Sequence, residues 1–406
     1  MPPDSSPPSA SPGEGPPRWR RPVVAAGLGL VVLLAGAALL SRGSGNEAGG
    51  PKPAASVKGS HPGTATRGGP GRARGDTPEG MEADAAPRRF ESGTCWRDLE
   101  RFNDQVTVAT FRDWAAPLLA SKDAVVRDYL KERLTELIGN DAGHAREVLG
   151  WARDAKGKEF QVYLSALRDS EAVQQPQVAA QLMAAGLDPT LETGRRAGML
   201  SALDSQKRLE PAALDQLADF ARDPASAEAG WAATRTVARV MKKDFERTGN
   251  ASPYLDRLLT IATDSPDEDI RYLAQSTPMH TAPVLDAAAT ERFTRILTSE
   301  GNDDGRDAAA HNLSLSQDKE QVLALFARTF PTDPSVCVRW ALFRFSARVA
   351  GKDALPVMAR MAAIDPRFQE QYRIFEQLYA SGILDFMRLW NSLPNQDPFA
   401  CMEHHD

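Results

Sequence analysis

The chain has little cysteine and none of the common catalytic motifs. Its 406 residues include three cysteines, so at most one intrachain disulfide can form. The zinc-binding pattern His-Glu-x-x-His and the pattern Cys-x-x-Cys are both missing. A serine nucleophile elbow and a glycine-rich phosphate-binding loop are missing too. We therefore expect no catalytic, cofactor-binding or metal-binding residues and a protein that is not an enzyme.

Aromatic residues are scarce in the first 94 positions, which contain two of the 28 in the chain, Trp19 and Phe90. The same stretch holds 14 Pro and 17 Gly, whereas Pro and Gly together make up 28 of the remaining 312 residues. Such a composition buries too little apolar surface to offset the conformational entropy lost on folding. We expect an N-terminal part without a packed core and a folded region at 95–406.

The folded region has no excess of basic residues. It contains 37 Lys and Arg against 46 Asp and Glu, a net charge of −9. Nucleic-acid binding requires a basic face that replaces the counterions of the phosphates. The composition therefore argues against nucleic acid as a partner and favours a basic or neutral protein or peptide.

Only one long apolar run occurs, at 23–40, and it contains no charged residue. As a helix it would span about 27 Å, close to the thickness of the bilayer core. Arg18, Arg20 and Arg21 precede it and only Arg42 follows closely, which predicts a cytoplasmic N-terminus at 1–22 and export of the rest. The Gly- and Pro-rich residues 41–94 then form a disordered linker.

The same run also fits a signal peptide. Residues 23–34 would form its apolar segment, and the small residues 35–37 would form a cleavage site that ends at Ala37. The protein would then be secreted instead of anchored. Both interpretations place the folded region outside the cytoplasm, in the periplasm or at the cell surface.

Apolar residues after Cys95 recur at helical spacing, and no sustained strand-like alternation is present. Leu255, Leu258, Leu259 and Ala262 follow the i, i+3, i+4, i+7 pattern. Ser-Pro and Asp-Pro pairs and a capping box from Ser265 to Glu268 predict helix starts. The sequence predicts an all-α chain of helical hairpins.

A local pattern repeats along this region: an acidic residue or Asn, then Arg four positions later. It occurs at Asp123/Arg127, Glu192/Arg196, Asp267/Arg271 and Asn302/Arg306, with Ser335/Arg339 as a further copy and degenerate copies near Tyr163 and Arg235. An acid at a helix N-terminus favours the helix dipole and can pair with an Arg four residues on. In a stacked array, the Arg can also reach the acid or a carbonyl of the neighbouring repeat.

At these residues the chain resembles the HEAT and armadillo class of α-solenoid, especially the short bacterial HEAT-like repeats. The best match is Asp-x-x-Ile-Arg-x-x-Ala at 267–274, and the resemblance covers 104–392. It implies a series of stacked helical hairpins that binds other proteins on one face. An irregular helical bundle stays open as an alternative, while the tetratricopeptide repeat lacks its Trp-Leu-Gly-Tyr frame.

Two segments carry possible metal ligands. Glu300, Asn302 and Asp304 resemble the start of a calcium loop, but position 12 is His311 where Glu is required, so we interpret the segment as a loop before a helix. The C-terminal residues 401–406 contain Cys and two His, and we interpret them as a polar end.

The cysteines leave the disulfide state open. Cys337 is interpreted as a small core residue of a helix. Cys95 and Cys401 bracket the folded region, and a bond between them would need a closed array.

The predicted function is a non-catalytic scaffold, anchored through 23–40, that binds a protein or peptide and no small molecule. The alternative is an enzyme or enzyme accessory, since some HEAT-like bacterial proteins resemble chromophore lyases. A cleaved, secreted repeat protein is a further alternative.

Overall fold

The structure is a computed structural model that describes residues 96–121 and 123–401. This part of the chain forms helices and no strand, apart from one isolated bridge between Leu285 and Ser316. The all-α prediction is confirmed for these residues. The predicted segments 1–22, 23–40 and 41–94 lie outside the described residues. Among the helices that are described, none is long and apolar enough to cross a bilayer.

Eighteen α-helices occur in the described part, connected by short loops and four short 3-10 segments. They are α1 (Trp96–Gln105), α2 (Phe111–Leu119), α3 (Ala124–Ile138), α4 (Ala142–Asp154), α5 (Gly157–Asp169), α6 (Pro176–Leu187), α7 (Thr193–Ala202), α8 (Pro211–Arg222), α9 (Ala227–Thr248), α10 (Ser252–Asp264), α11 (Glu268–Thr281), α12 (Ala287–Ser299), α13 (Asp303–Leu313), α14 (Lys319–Thr329), α15 (Val336–Ala350), α16 (Leu355–Ile364), α17 (Gln369–Ala380) and α18 (Phe386–Asn391).

The helices pack as successive hairpins, α2 with α3, α4 with α5, and so on to α16 with α17. The second helices of the hairpins also contact one another in an unbroken series, α3, α5, α7, α9, α11, α13 and α15, which we call the first layer. The first helices form a second layer in which α4 contacts α6, α8 contacts α10, α10 contacts α12, and α14 contacts α16. Helices packed in series by neighbour contacts are consistent with an α-solenoid.

The core lies between the two layers, and the helical periodicity of the sequence identifies much of it. The predicted row on α10, Leu255, Leu258, Leu259 and Ala262, is buried. Among the largest fully buried side chains are Trp340, Tyr163, Tyr254, Phe293 and Phe326. At the C-terminal end, the helical spacing of Ile383, Phe386, Met387 and Trp390 does not identify a buried row, since Met387 is 55% exposed and α18 has only six residues.

At Asp123, Asp267 and Asn302, the first member of the repeated pattern caps its helix through its side chain and does not hydrogen-bond to the Arg four residues later, whereas Glu192 makes no capping hydrogen bond. Asp267 accepts hydrogen bonds from the backbone N–H groups of Asp269 and Ile270, and Asn302 does the same for α13. Each oxygen is therefore committed to the first helical turn. The predicted capping box at Ser265 is wrong, because Asp267 is the N-cap and the Ser265 hydroxyl donates to the Ala221 carbonyl.

The Arg of the pattern reaches the next hairpin instead, as predicted for a stacked array. Arg271 donates to both carboxylate oxygens of Glu300, at 2.7 and 3.1 Å. Arg306 makes the same two-bond contact with Asp333, and Arg339 approaches Asp365 at 3.8 Å. We call these three contacts the arginine ladder.

The earlier copies of the pattern use different contacts. Arg196 donates to the Gly186 carbonyl and lies over the ring of Phe220. Arg235 reaches back to the preceding hairpin, where its Nη2 donates to the Ser201 hydroxyl at 2.7 Å. The ladder therefore belongs to the C-terminal half of the described helices.

Cys337 and Cys401 are both disulfide-bonded. Because the third cysteine, Cys95, could serve only one of them, they are bonded to each other. Cys337, which the sequence suggests is a small core residue, is instead a partly buried member of a disulfide, and a Cys95–Cys401 bond is excluded. Since Cys401 is in a disulfide, it offers no thiolate for a metal at the C-terminal end.

Candidate functional site

The first layer exposes a surface whose two edges differ in charge. At one edge the helix N-termini lie side by side: the Asn302 side-chain amide donates to Glu268 at 3.4 Å, and the Ser335 hydroxyl donates to Asp303 at 2.9 Å. Neighbouring helices of this layer are thus parallel. Acidic residues collect at this edge because carboxylates favour helix N-termini.

The opposite edge carries cations and imidazoles. We call it the basic edge and define it by eight residues. They are Arg235, Arg239, Lys242, Lys243, His280, His311, Arg344 and Arg348. These six cations and two imidazoles lie in a folded region whose net charge is −9.

On α9, three cations of the basic edge surround one buried carboxylate, that of Asp204. Arg239 donates to its Oδ2 at 2.8 Å, Arg235 approaches the same oxygen at 3.5 Å, and Lys243 donates to the Asp204 carbonyl at 2.5 Å. Burial lowers the pKa of Lys243, although the Asp204 charge opposes this shift. Because a single carboxylate faces three cations, an excess of positive charge remains beside Trp231. The Trp231 ring lies 5.0 Å from the Arg235 guanidinium.

On α11, α13 and α15, imidazoles, arginines and phenyl rings form a second cluster. The ring centroids of His280 and His311 are 6.4 Å apart, and those of His311 and Phe345 are 4.4 Å apart. Arg344 lies 4.7 Å above the Phe345 ring and donates to both oxygens of Asp307 at 3.0 Å. The cluster is therefore held by stacking and one bidentate ion pair.

Arg348 occupies the end of this cluster without a carboxylate. Its guanidinium lies 5.8 Å from the Phe386 ring, and within the described residues it has no ion pair or hydrogen bond. Its side chain is half-buried, and burial lowers its pKa. An uncompensated and partly desolvated cation attracts an anion more strongly than a solvated one.

The same cluster keeps its imidazoles neutral. Burial and the charges of Arg348 and Arg344 hold the pKa of His311 well below its ordinary value. Desolvation and the Lys242 charge lower the pKa of His280. The two rings therefore act at neutral pH as flat polar surfaces, not as charges.

Apolar groups adjoin the cations at the C-terminal end. The rings of Phe386 and Trp390 stack at 6.4 Å, and Phe386 lies 6.2 Å from Phe345. Leu384 and Met387 are 65% and 55% exposed, which is unusual for large apolar side chains. This end of the surface can contact apolar and charged groups together.

The remaining predicted positions contribute no site. Glu300 and Asn302 fix the loop before α13, which confirms that this segment runs into a helix start. His144 lies at the start of α4, where its Nδ1 is 3.0 Å from the Leu137 carbonyl oxygen. In the described ranges, no three His, Cys, Asp or Glu side chains come together in a way that could hold a metal ion. His61, His404 and His405 lie outside those ranges.

Sequence reasoning missed the basic edge. His280 and His311 fit no metal-binding or catalytic motif in the sequence, and Arg344 and Arg348 belong to no motif either. The i, i+4 spacing of Trp231, Arg235 and Arg239 indicates that these three side chains share one face of α9. That this face lies on the same edge as the cations of α15 follows only from the packing of the hairpins.

Two clefts lie at the seams of the second layer. The larger, of about 720 Å³, is lined by Arg271, Arg292, Arg295, Glu300 and others. In it, Arg271 is paired with Glu300 and Arg292 with Asp256. Because these cations are already compensated, the larger cleft is a weaker candidate than the basic edge.

No protein-family model matches the chain, and no curated protein matches it in sequence.

Proposed function

We propose that the described region is a HEAT-like repeat scaffold, without catalytic activity, that binds a protein or peptide along the basic edge. The observation that carries this proposal is the excess of cations and aromatic rings on one edge of the first layer. The regular series of hairpins and the arginine ladder support the HEAT-like assignment. Stacked repeats expose such continuous surfaces, and proteins of this kind use them to hold other proteins.

The scaffold is further proposed to be held outside the cytoplasm by a membrane helix at 23–40. The apolar run and its arginine asymmetry support this location. The disulfide of Cys337 and Cys401 supports it independently, because such bonds persist in oxidising compartments. Mass spectrometry of the intact protein from membranes tests the anchor. A mature chain that begins near Ala38 would replace the anchored protein by a secreted one.

Crosslinking on intact cells tests the scaffold. A membrane-impermeant crosslinker applied to cells that express the full chain is expected to capture a specific protein. The yield should fall in the double variant Arg239→Gln, Lys242→Gln on the basic edge. It should not fall in the control Arg295→Gln, Arg328→Gln, which removes two exposed cations from the second layer.

Two results would contradict the proposal. One is the absence of any captured protein under several growth conditions. The other is an equal loss in both double variants, which would show that total charge matters and not the basic edge.

A further inference from the structure

The net charge of −9 in the folded region favours a basic partner, but the cations of the basic edge would repel one. Around Asp204, Arg235 and Arg239 share one carboxylate and Lys243 donates to the main-chain carbonyl, and on α15 Arg348 has no carboxylate partner in the described part of the chain. Partners are selected by the local potential at the interface, and complementary charge sets orientation and association rate. The chemistry of the edge therefore decides the partner.

We infer that the basic edge binds an extended, acidic polypeptide segment that presents both carboxylates and apolar side chains on the face turned towards the edge. The guanidinium of Arg348 receives one of these carboxylates. This inference rests on the proposed scaffold function and specifies its partner.

Arg348 is suited to this contact in three ways. It is half-buried, so its attraction to a carboxylate is less screened than that of a surface cation. Its planar guanidinium can donate two parallel hydrogen bonds to one carboxylate. The Phe386 ring at 5.8 Å restricts its position, so less side-chain entropy is lost on binding.

The apolar part of the segment has its own contacts. Phe386 and Trp390 are partly exposed and stack on each other beside Arg348, with the buried Phe345 against Phe386, and Leu384 and Met387 of the same segment are exposed. An apolar side chain two residues from the bound carboxylate, on the same face of the extended segment, would cover the rings of Phe386 and Trp390. Burial of apolar surface would then add to the affinity.

The basic edge also distinguishes a polypeptide from a nucleic acid. The imidazoles of His280 and His311 and the ring of Phe345 separate the cations of α9 from Arg344 and Arg348. A nucleic acid carries a negative charge at every nucleotide and needs a continuous series of cations, whereas a polypeptide can place isolated carboxylates on the cations and other side chains on the rings.

The length of the segment follows from the packing. Adjacent helices of a layer are about 8–10 Å apart, so the distance from α9 to α15 is about 30 Å. About nine extended residues span this distance, which sets the length of the probe.

Peptide binding tests the inference. The probe is a fluorescein-labelled peptide of about that length in which every second position is in turn Glu and then Leu or Phe, with Ser between them, so that the Glu, Leu and Phe side chains share one face of the extended chain. Its partner probe has Gln at every Glu. Fluorescence anisotropy with the full chain in detergent is expected to show much tighter binding of the Glu peptide. Arg348→Gln should weaken that binding by about tenfold or more, the range for hydrogen bonds to charged groups. Arg348→Lys should lose part of it, and the control Arg295→Gln should lose none.

Within the described residues Arg348 has no ion pair to break, so its loss should leave the fold intact, which circular dichroism of each variant checks. Equal affinity for the Glu and Gln peptides, or equal behaviour of the two Gln variants, would overturn the inference. So would tighter binding of a single-stranded oligonucleotide or of anionic vesicles that depends on Arg348. If crosslinking still captures a protein but the peptide assay fails, the proposed scaffold function is retained. Only the inference that its partner is an acidic segment is then rejected.

Discussion

Arg306 of α13 binds both carboxylate oxygens of Asp333 in the loop before α15, with Nε–Oδ2 at 2.9 Å and Nη2–Oδ1 at 3.2 Å. The third nitrogen, Nη1, donates to the carbonyls of Glu300 and Gly301. Arg306 is 9% exposed and Asp333 7%. The Arg306 guanidinium thus connects its own helix, α13, to the loop before that helix and to the loop before α15 in the next hairpin.

Replacing Asp333 with Ala should strongly destabilise the folded region. Breaking a buried pair leaves an uncompensated charge and costs about 3–5 kcal/mol. Urea denaturation followed by circular dichroism measures this as a fall in the free energy of unfolding. The matched control is Glu291→Ala, which removes the exposed pair with Arg295 and should cost less than about 1 kcal/mol. Similar losses of unfolding free energy in both variants would mean that the buried Arg306–Asp333 pair contributes no more to stability than the surface pair.

The sequence predicts the ladder in outline because its cause is local. Asp267 and Asn302 recur at helix starts, and Arg271 and Arg306 recur one turn later, so spacing alone suggests contacts between repeats. It cannot identify Glu300 and Asp333 as the partners, because they lie 29 and 27 residues further on, in loops whose position depends on the hairpins. The basic edge was missed for the same reason.

Two glycines of the second layer should respond oppositely to alanine. A Cβ on Gly186 of α6 would lie 2.5 Å from two atoms of the Leu200 side chain, so Gly186→Ala should cost about 1–3 kcal/mol through overpacking. A Cβ on Gly150 of α4 meets nothing within 4 Å, so Gly150→Ala should stabilise the helix by up to about 1 kcal/mol.

Thermal and urea unfolding of both variants measure the difference. A neutral Gly186→Ala would show that α6 and α7 can separate slightly at no cost. A destabilising Gly150→Ala would contradict the exposed position of this residue on α4.

Stability should fall as the pH is lowered from 7 towards 5, because His311 is buried with its pKa held below 6.5 by burial and by Arg348 and Arg344. In the unfolded chain His311 binds a proton near pH 6.5, whereas in the folded chain it binds one only at lower pH. Protonation therefore favours unfolding below pH 6.5. The slope from one such group reaches about 1.4 kcal/mol per pH unit. His280, whose pKa is also lowered, adds to it.

The variant His311→Gln should reduce this slope. The part of the slope that remains should come from His280. Urea denaturation at several pH values between 5 and 7.5 provides the measurement. His144→Gln, on α4 and away from the basic edge, should leave the slope unchanged. A slope that is the same in all three proteins would show that carboxylates, and not the His311 cluster, govern stability in this range.

The disulfide of Cys337 and Cys401 predicts a specific peptide map and a specific loss of stability. Digestion without reduction should yield one crosslinked peptide that contains both residues and a separate peptide with free Cys95. Cys401→Ser should lower the free energy of unfolding by about 2–4 kcal/mol, the usual range for a native disulfide, because the unfolded chain gains conformational entropy. Cys95→Ser should have no such effect and serves as the control. A crosslinked peptide that contains Cys95, or equal stability of the two serine variants, would contradict the pairing.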